Sequence, residues 1–392
     1  MQPSDFAPDA PGRLFRSLRG YWTFIPNPLP PTLAVDWELV GQISNADRAL
    51  SELAGVARTL PNPHLLIGPF IRREAVLSSR IEGTQASLSD LLFFEASGIA
   101  DPRPDVREVA NYVRALEYGL ARLNELPLSL RLIREIHERL MAGVRGDALT
   151  PGEFRRSQNW IGPPGCTLME ATFVPPPEQD MKTALGDLEV YWHTPSTLPP
   201  LVRLALIHYQ FEAIHPFLDG NGRIGRLLIT LLLCAEGLLN QPLLYLSAYF
   251  ERYRDDYYRH LLAVSQRNAW RGWIDFFLRG VADQARDAVQ RASQLLELRE
   301  TYRQRLPAIS SSAHLLRLMD ELFSYPAITI ARAAERLSIT PRAAGLNVEK
   351  LVKAGLLEEI TGQQRYRVFI APDIVKIIDA AHSSAVSPAK TP

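Results

Sequence analysis

Between His215 and Arg226 the chain reads His-Pro-Phe-Leu-Asp-Gly-Asn-Gly-Arg-Ile-Gly-Arg, which brings an imidazole, a carboxylate, an amide, three glycines and two guanidiniums into one short string. These types suit phosphate transfer. His215 is the one side chain of the set that titrates near neutrality, so it is the candidate base for an attacking hydroxyl. Asp219 is a hard oxygen ligand suited to a Mg²⁺ ion that bridges phosphate oxygens. Asn221 and the amides of Gly220 and Gly222 can line an anion hole, and Arg223 and Arg226, three apart on a helix, reach the same anion. The flanks supply the scaffold. Apolar residues recur at helical spacing from Leu201 to Ile214, and the run resumes from Leu227 to Leu233. Residues 219–222 are thus expected to join two buried helices, their second half opening the second one. A helix start offers unpaired N–H groups and the positive dipole end, and glycines let a polyphosphate approach that backbone.

The string is similar to the signature of the Fic family, His-x-Phe-x-(Asp/Glu)-Gly-Asn-Gly-Arg-x-x-Arg, and every specified position is matched. The resemblance implies a protein adenylyltransferase that moves AMP from ATP, with Mg²⁺, to a Ser, Thr or Tyr hydroxyl of a protein partner, the chain itself included. It also implies roles. His215 is then the base, Phe217 a core anchor and Asp219 the metal ligand. Asn221 and Gly222 lie at the α-phosphate, Arg223 on the β-phosphate and Arg226 on the γ-phosphate. Tyr245 and Tyr258 follow the motif at distances where related Fic proteins place base-contacting aromatics. Other family members use another nucleotide or phosphocholine, or remove AMP, and these stand as alternatives on the same site.

A second stretch, Ser78-Ser79-Arg80-Ile81-Glu82-Gly83, matches the inhibitory motif (Ser/Thr)-x-x-x-Glu-(Gly/Asn) that some Fic proteins carry N-terminal to the catalytic string. Residues Ile71 to Ile81 favour helix, and Gly83 stands where a C′ glycine ends one. The resemblance implies that Glu82, with Ser78 in the motif, pairs with Arg226 and so denies that guanidinium to the γ-phosphate. A third stretch, Asn159 to Pro177, is rich in Pro and Gly around a β-like run, Ala171 to Val174. It resembles the family's β-hairpin flap, which implies that Thr172, Phe173 and Val174 hold the acceptor segment by strand addition.

Composition bounds the rest. With 392 residues, 46% of them apolar, the chain can bury two or three cores. Its 43 basic and 43 acidic residues cancel, so net charge argues for neither nucleic acid nor a membrane surface. Two cysteines, Cys166 and Cys234, make no disulfide framework and suit a reducing cytoplasm. Met1 to Gly12 carries acids and prolines where a signal peptide would be basic and then apolar, and the apolar run Leu227–Leu239 is too short to span a bilayer. A cytoplasmic protein without a membrane partner is expected.

The expected fold class is mainly α: a Fic-fold helical core with a β-hairpin flap, plus a C-terminal winged-helix domain. The expected divisions are an N-terminal helical region (1–120) with the inhibitory helix near 70–83, the catalytic core (121–280), a connector helix (281–306), the winged helix (307–382) and a disordered tail (383–392). The winged-helix expectation rests on three helical stretches, His314–Phe323, Ile330–Leu337 and Pro341–Lys353, followed by an alternating hairpin, Leu357–Thr361 and Arg365–Ile370. If it binds DNA, Arg342, Lys350 and Lys353 lie on the recognition helix and Arg365 and Arg367 on the wing. Yet residues 313–380 hold 9 basic against 8 acidic residues, so protein interaction or a structural role ranks ahead of DNA. A regulator in which the core only senses a ligand is the alternative from another class. The oligomeric state, a homo-oligomer included, stays open.

Overall fold

The computed structural model describes residues 1–59, 64–98, 103–144, 149–309 and 312–380. The tail expected to be disordered lies outside them. The chain opens on an antiparallel hairpin, β1 (Gly12–Arg16) and β2 (Trp22–Pro26), with Gly12 opposite Pro26 and Arg16 opposite Trp22. Helices α1 (Trp37–Thr59), α2 (His64–Ile81), α3 (Leu88–Ser97), α4 (Pro104–Arg122) and α5 (Leu130–Met141) follow. After an irregular stretch come α6 (Glu178–His193), α7 (Pro200–Ile214), α8 (Asn221–Ala235), α9 (Ser247–Arg252), α10 (Arg254–Arg267) and α11 (Trp270–Arg305). The remainder is α12 (Ala313–Ser324), β3 (Ala327–Thr329), α13 (Ile330–Leu337), α14 (Pro341–Lys353), β4 (Glu358–Glu359), β5 (Val368–Ile370) and α15 (Pro372–Asp379). Contacts sort these into two compact units: Met1–Thr59, Glu74–Ala86 and Asp101–Arg286 in the first; Leu60–Arg73, Ser87–Ala100 and Asp287–Pro392 in the second.

The first unit is organised on α7, in which every residue but Pro200 and Glu212 is buried. A helix apolar all round must be surrounded, and α1, α6, α8, α10 and β2 all pack on it. Beneath it, Trp273 donates its indole N–H to the Ala205 carbonyl at 2.8 Å, and Phe250, Tyr257 and Phe277 cluster around the Trp273 ring. Helices α4 and α5 pack together and both reach α8. The ends of α7 and α8 that meet at residues 215–220 are therefore held from several sides.

In the second unit a three-stranded antiparallel sheet has the order β3-β5-β4, with Ala327 and Glu358 both paired to Ile370. Helix α3 packs on β3 and β5, while α12 and α13 pack with α14. Thr340 caps α14 by accepting from the Ala343 N–H, with Pro341 at the first helical position.

Several elements depart from the sequence expectation. Strand β3 carries no alternation long enough to announce it. The expected hairpin strands shrink to β4 and β5 because the Glu359 carboxylate accepts from the Thr361 and Gly362 N–H groups, which commits that backbone to a turn. The connector helix expected over 281–306 is the later part of one longer helix, α11, which starts at Trp270; Gly280 interrupts nothing and instead gives room to the Tyr249 ring, 2.8 Å from where a Cβ would stand. Helix α2 starts upstream of the expected Ile71, at His64, and takes Pro69 inside it. The flap run makes a single β-bridge, Ile161 with Phe173, and no longer ladder.

Candidate functional site

Helix α8 begins where Gly220, at φ 78°, turns the chain into its first residue. Only glycine fits there without strain, and a Cβ would also stand 2.9 Å from Met141 Sδ. Helix geometry leaves the N–H groups of Asn221, Gly222 and Arg223 without intrahelical acceptors, so the backbone donors that an anion site would need are present. The Asn221 side chain does not join it. Its Oδ1 accepts from the Phe217 N–H and its Nδ2 donates to the Phe217 carbonyl, both at 2.8 Å, and the residue is 2% exposed. The amide expected at the α-phosphate is thus a staple of the loop, and only its main-chain N–H is left at the helix start. Phe217 is wholly buried as expected, stacked face to face on His137 with ring centroids 3.7 Å apart.

His137 was invisible to motif reading. Its Nδ1 accepts from the Gly152 N–H at 2.9 Å, so the proton sits on Nε2 and is donated to the Asp219 carbonyl at 3.0 Å. Burial pushes its pKa down to about 4, which keeps this neutral arrangement in place. The helix α5 residue, 82 positions from Asp219, therefore fixes the loop from below.

His215 terminates α7 in the left-handed region, at φ 50°. Its Nδ1 faces the Glu212 carbonyl at 3.3 Å, and since a carbonyl only accepts, Nδ1 carries the proton and Nε2 holds the free lone pair. Burial, with the Arg155 charge adding to it, lowers the imidazole to about 4, against the opposing pull of Glu82 and Asp219. A neutral ring with a bare Nε2 is the form a base must take.

The two arginines of the first turn are both 2% exposed. Arg226 donates from Nε to Ser78 Oγ at 2.8 Å and from one terminal nitrogen to the Ser78 carbonyl at 2.9 Å and to Glu82 Oε1 at 2.7 Å. Its other terminal nitrogen is buried without a partner among the described residues. Glu82 follows the end of α2, where its N–H bonds the Ser79 carbonyl and Gly83 turns at φ 96°. Burial raises the Glu82 carboxyl, but the Arg226 guanidinium outweighs it and holds the group below the ordinary carboxylate value. Gly222 forms the floor under this pair: a methyl there would run into the Glu82 carboxylate. Arg223 reaches Glu108 on α4 at 3.4 Å and Asp219 at 3.5 Å, and Glu108 also accepts from the Thr84 hydroxyl at 3.2 Å. Two further acids border the cluster. Burial raises Glu212 to about 7, and it raises Glu74 to about 7 although the Ser247 hydroxyl at 2.5 Å and Tyr112 at 3.1 Å donate to it.

Asp219 accepts the Gly220 N–H on Oδ1 at 2.6 Å, and a third of its side chain stays exposed. Among the described residues no group of three or more metal-ligating side chains gathers. One exposed, oriented carboxylate fits a Mg²⁺ that takes its remaining ligands from phosphate and water. The two expected aromatics part company. Tyr245 is 8% exposed, its hydroxyl buried with no partner among the described residues and within the electrostatic field of Glu74, whereas Tyr258 is 40% exposed and within that of Glu82 and Arg226. In the flap, Phe173 and Val174 are buried, Phe173 against Phe24, and the Val174 carbonyl accepts from the Phe24 N–H at 2.9 Å. Thr172 alone of the three is exposed, and its main-chain N–H and C=O have no partner among the described residues.

Residues 40–121 match the family model for the Fic/DOC family N-terminal region, and residues 127–233 match that for the Fic/DOC family. The chain is 31% identical over 179 residues to protein adenylyltransferase Fic of Drosophila erecta and 32% identical over 179 residues to that of Drosophila virilis. Each alignment covers 45% of this chain and 32% of the relative, so the chain spans about a third of the length of the curated relatives it matches. A Fic family protein from Desulfovibrio desulfuricans G20 superposes with a TM-score of 0.56 at 19% identity, covering 88% of this chain and 98% of its own. A Fic-1 fragment from C. elegans gives 0.50 at 23% identity over 67% of this chain and 75% of its own. At these identities the two structures speak for the fold.

Proposed function

Because the chain belongs to the Fic/DOC family, we propose that it is a protein adenylyltransferase, transferring AMP from Mg-ATP to a Ser, Thr or Tyr hydroxyl of a protein and restrained by its own Glu82. One observation carries the reading: a neutral His215 with its Nε2 bare stands at the mouth of a glycine-lined helix start that also bears Arg223 and Arg226. In this reading the acceptor hydroxyl gives its proton to His215 Nε2 as its oxygen attacks the α-phosphorus, and the bond to the β-phosphate oxygen breaks to release pyrophosphate. The α8 N–H groups and Arg223 bind the α- and β-phosphates, and Arg226 orients the γ-phosphate once Glu82 leaves it. Mg²⁺ on Asp219 would supply charge neutralisation between phosphate oxygens. The acceptor segment adds its strand at Thr172, whose unpaired main-chain groups support that role.

A second reading on the same site is removal of AMP. It is favoured by Glu82 lying close enough to His215 to raise it electrostatically. Residues 313–370, with the order helix, strand, helix, helix, strand, strand and the sheet order β3-β5-β4, fit the proposed winged helix, for which we keep protein interaction or a structural role ahead of DNA. No helix among the described residues is long and apolar enough to cross a membrane.

The test is intact mass of the purified chain and of added protein acceptors after incubation with each Mg-nucleotide, for wild type and His215→Ala. AMP addition from ATP that falls about 10²- to 10⁴-fold in His215→Ala, with Mg-ATP binding by calorimetry nearly unchanged, is the expected result. Wild-type turnover in that variant would remove His215 as the base.

A further inference from the structure

A guanidinium without an ion pair among the described residues lies behind the proposed base. Arg155 is 0% exposed, and among the described residues no acid comes within ion-pair distance of it. It spends its donors on main-chain carbonyls instead: Nε to His215 at 3.0 Å, one terminal nitrogen to Ser157 at 3.3 Å, the other to Pro176 at 2.6 Å and Ile214 at 3.4 Å. Its own N–H donates to the Pro216 carbonyl at 2.9 Å. Asn159 continues the pattern, donating from Nδ2 to the His215 and Phe217 carbonyls at 3.1 and 2.7 Å. Four consecutive carbonyls, 214 to 217, are thus collected by the segment 155–159.

Burying a charge without a close ion pair is costly, and burial lowers this guanidinium to about 10 against the opposing pull of Glu178, so packing alone does not account for an arginine here. The place where the charge is used is informative. His215 holds a left-handed backbone that a non-glycine residue adopts only when its surroundings over-determine it. The same guanidinium reaches Pro176, and Gln158 donates to the Pro175 carbonyl at 3.0 Å, so the strand leading from Thr172 is tied to the same segment. The acceptor edge and the imidazole are therefore braced by one side chain.

We propose that Arg155, seconded by Asn159, is a positioning residue of the transfer reaction, fixing the left-handed turn at His215 and its distance from the Thr172 edge. This rests on the reading of His215 as the proton acceptor. The groups facing the imidazole are the Arg155 charge, the Glu82 and Asp219 carboxylates and the Glu212 carbonyl, so removing Arg155 leaves only groups that favour the protonated ring. Arg155 has no bond to α8, where the nucleotide is proposed to bind. Loss of Arg155 is expected to act on the transfer step and to spare Mg-ATP affinity.

The experiment uses the full chain as Arg155→Met, Arg155→Lys, His215→Ala and wild type. The His215 ¹⁵N resonances, assigned by their loss in His215→Ala, are followed through a pH titration. AMP incorporation is read by intact mass and Mg-ATP affinity by calorimetry. In Arg155→Met the His215 midpoint should rise by about a unit and incorporation should fall by about 10- to 10²-fold, the scale of a misplaced reacting group, with Mg-ATP affinity within about twofold. Arg155→Lys keeps the charge, so its titration should stay low while incorporation still drops. If Arg155→Met keeps both the wild-type titration and the wild-type rate, or if every readout including Mg-ATP affinity falls in step with unfolding, the positioning role is wrong. Should His215→Ala itself keep the rate, the base assignment fails, and the titration still decides whether Arg155 holds the imidazole.

Discussion

Arg223 and Arg226 stand one turn apart on α8, both sealed from solvent and both paired to a glutamate, yet the two glutamates differ. Glu108, on α4, is buried with Arg223, their side chains 5% and 3% exposed, and Thr84 donates to it as well. Glu82 lies just past the end of α2, with a third of its side chain exposed, and closes on Arg226 at 2.7 Å. The closer pair is the looser one in energetic terms. A carboxylate on a glycine-ended turn can move into water, whereas one inside α4 cannot leave without stranding a charge. We read Arg223 as a fixed feature of the site and Arg226 as the one that changes partner.

The sharpest way to break this comparison is to remove each acid in turn. Glu108→Ala leaves Arg223 buried and short of its carboxylate, and should cost about 3 to 5 kcal/mol of stability by urea unfolding. Glu82→Gly should cost less, about 1 to 3 kcal/mol, because Glu82 is a third exposed and Arg226 keeps its two bonds to Ser78. Equal costs would mean that exposure does not separate the two pairs. Next in size is the rate. Glu82→Gly should raise initial AMP incorporation about 10- to 10³-fold, up to about 4 kcal/mol, and Arg226→Ala should cancel the gain because restraint and γ-phosphate contact share one residue. If Glu82→Gly is no faster, following loss of AMP from pre-modified protein distinguishes a surface charge from a participant in removal.

A smaller effect tests the loop between the pairs. Asn221→Ala strips two buried hydrogen bonds from the Phe217 backbone and should cost about 1 to 3 kcal/mol, with the rate falling as His215 loses its support. Unchanged stability would make the staple incidental. The smallest expected effect is that of pH on the restraint. Glu82 sits below its ordinary value, so the pair's contribution is present above the unfolded carboxylate pKa and is lost only as pH falls through the lower folded one. Between pH 6 and 8 the ratio of Glu82→Gly to wild-type rates should hold within about twofold. A ratio that changes steeply there would assign the restraint to another group, such as Glu74 or Glu212, each raised to about 7.

Motif spacing reached the parts of the site that are contiguous. His215, Asp219, the two glycines and the two arginines stand in twelve residues, and helix periodicity on both sides placed them at a helix start. Glu82 was legible only through its own short motif. What holds these residues carried no such signal: His137, Glu108, Arg155 and Asn159 come from 56 or more positions away and sit in stretches whose local pattern is unremarkable. Tyr245 and Asn221 show the converse, since spacing put both at the nucleotide while packing turned one hydroxyl inward and folded one amide back on Phe217.

The sequence by itself determined the helical class, the helix start at residues 219–222 and the candidate reactive side chains, because these follow from periodicity and from residue types within one or two turns. Only the tertiary structure decided how the chain is apportioned. Helix α3, which the linear order assigns to the N-terminal region, packs on β3 and β5, more than 200 residues later in the chain. It likewise decided which acid pairs with which arginine, where each histidine carries its proton, and that a buried arginine spends its donors on the carbonyls around His215. Those outcomes depend on desolvation and on donors and acceptors brought together across the chain, and neither quantity exists until the helices have packed.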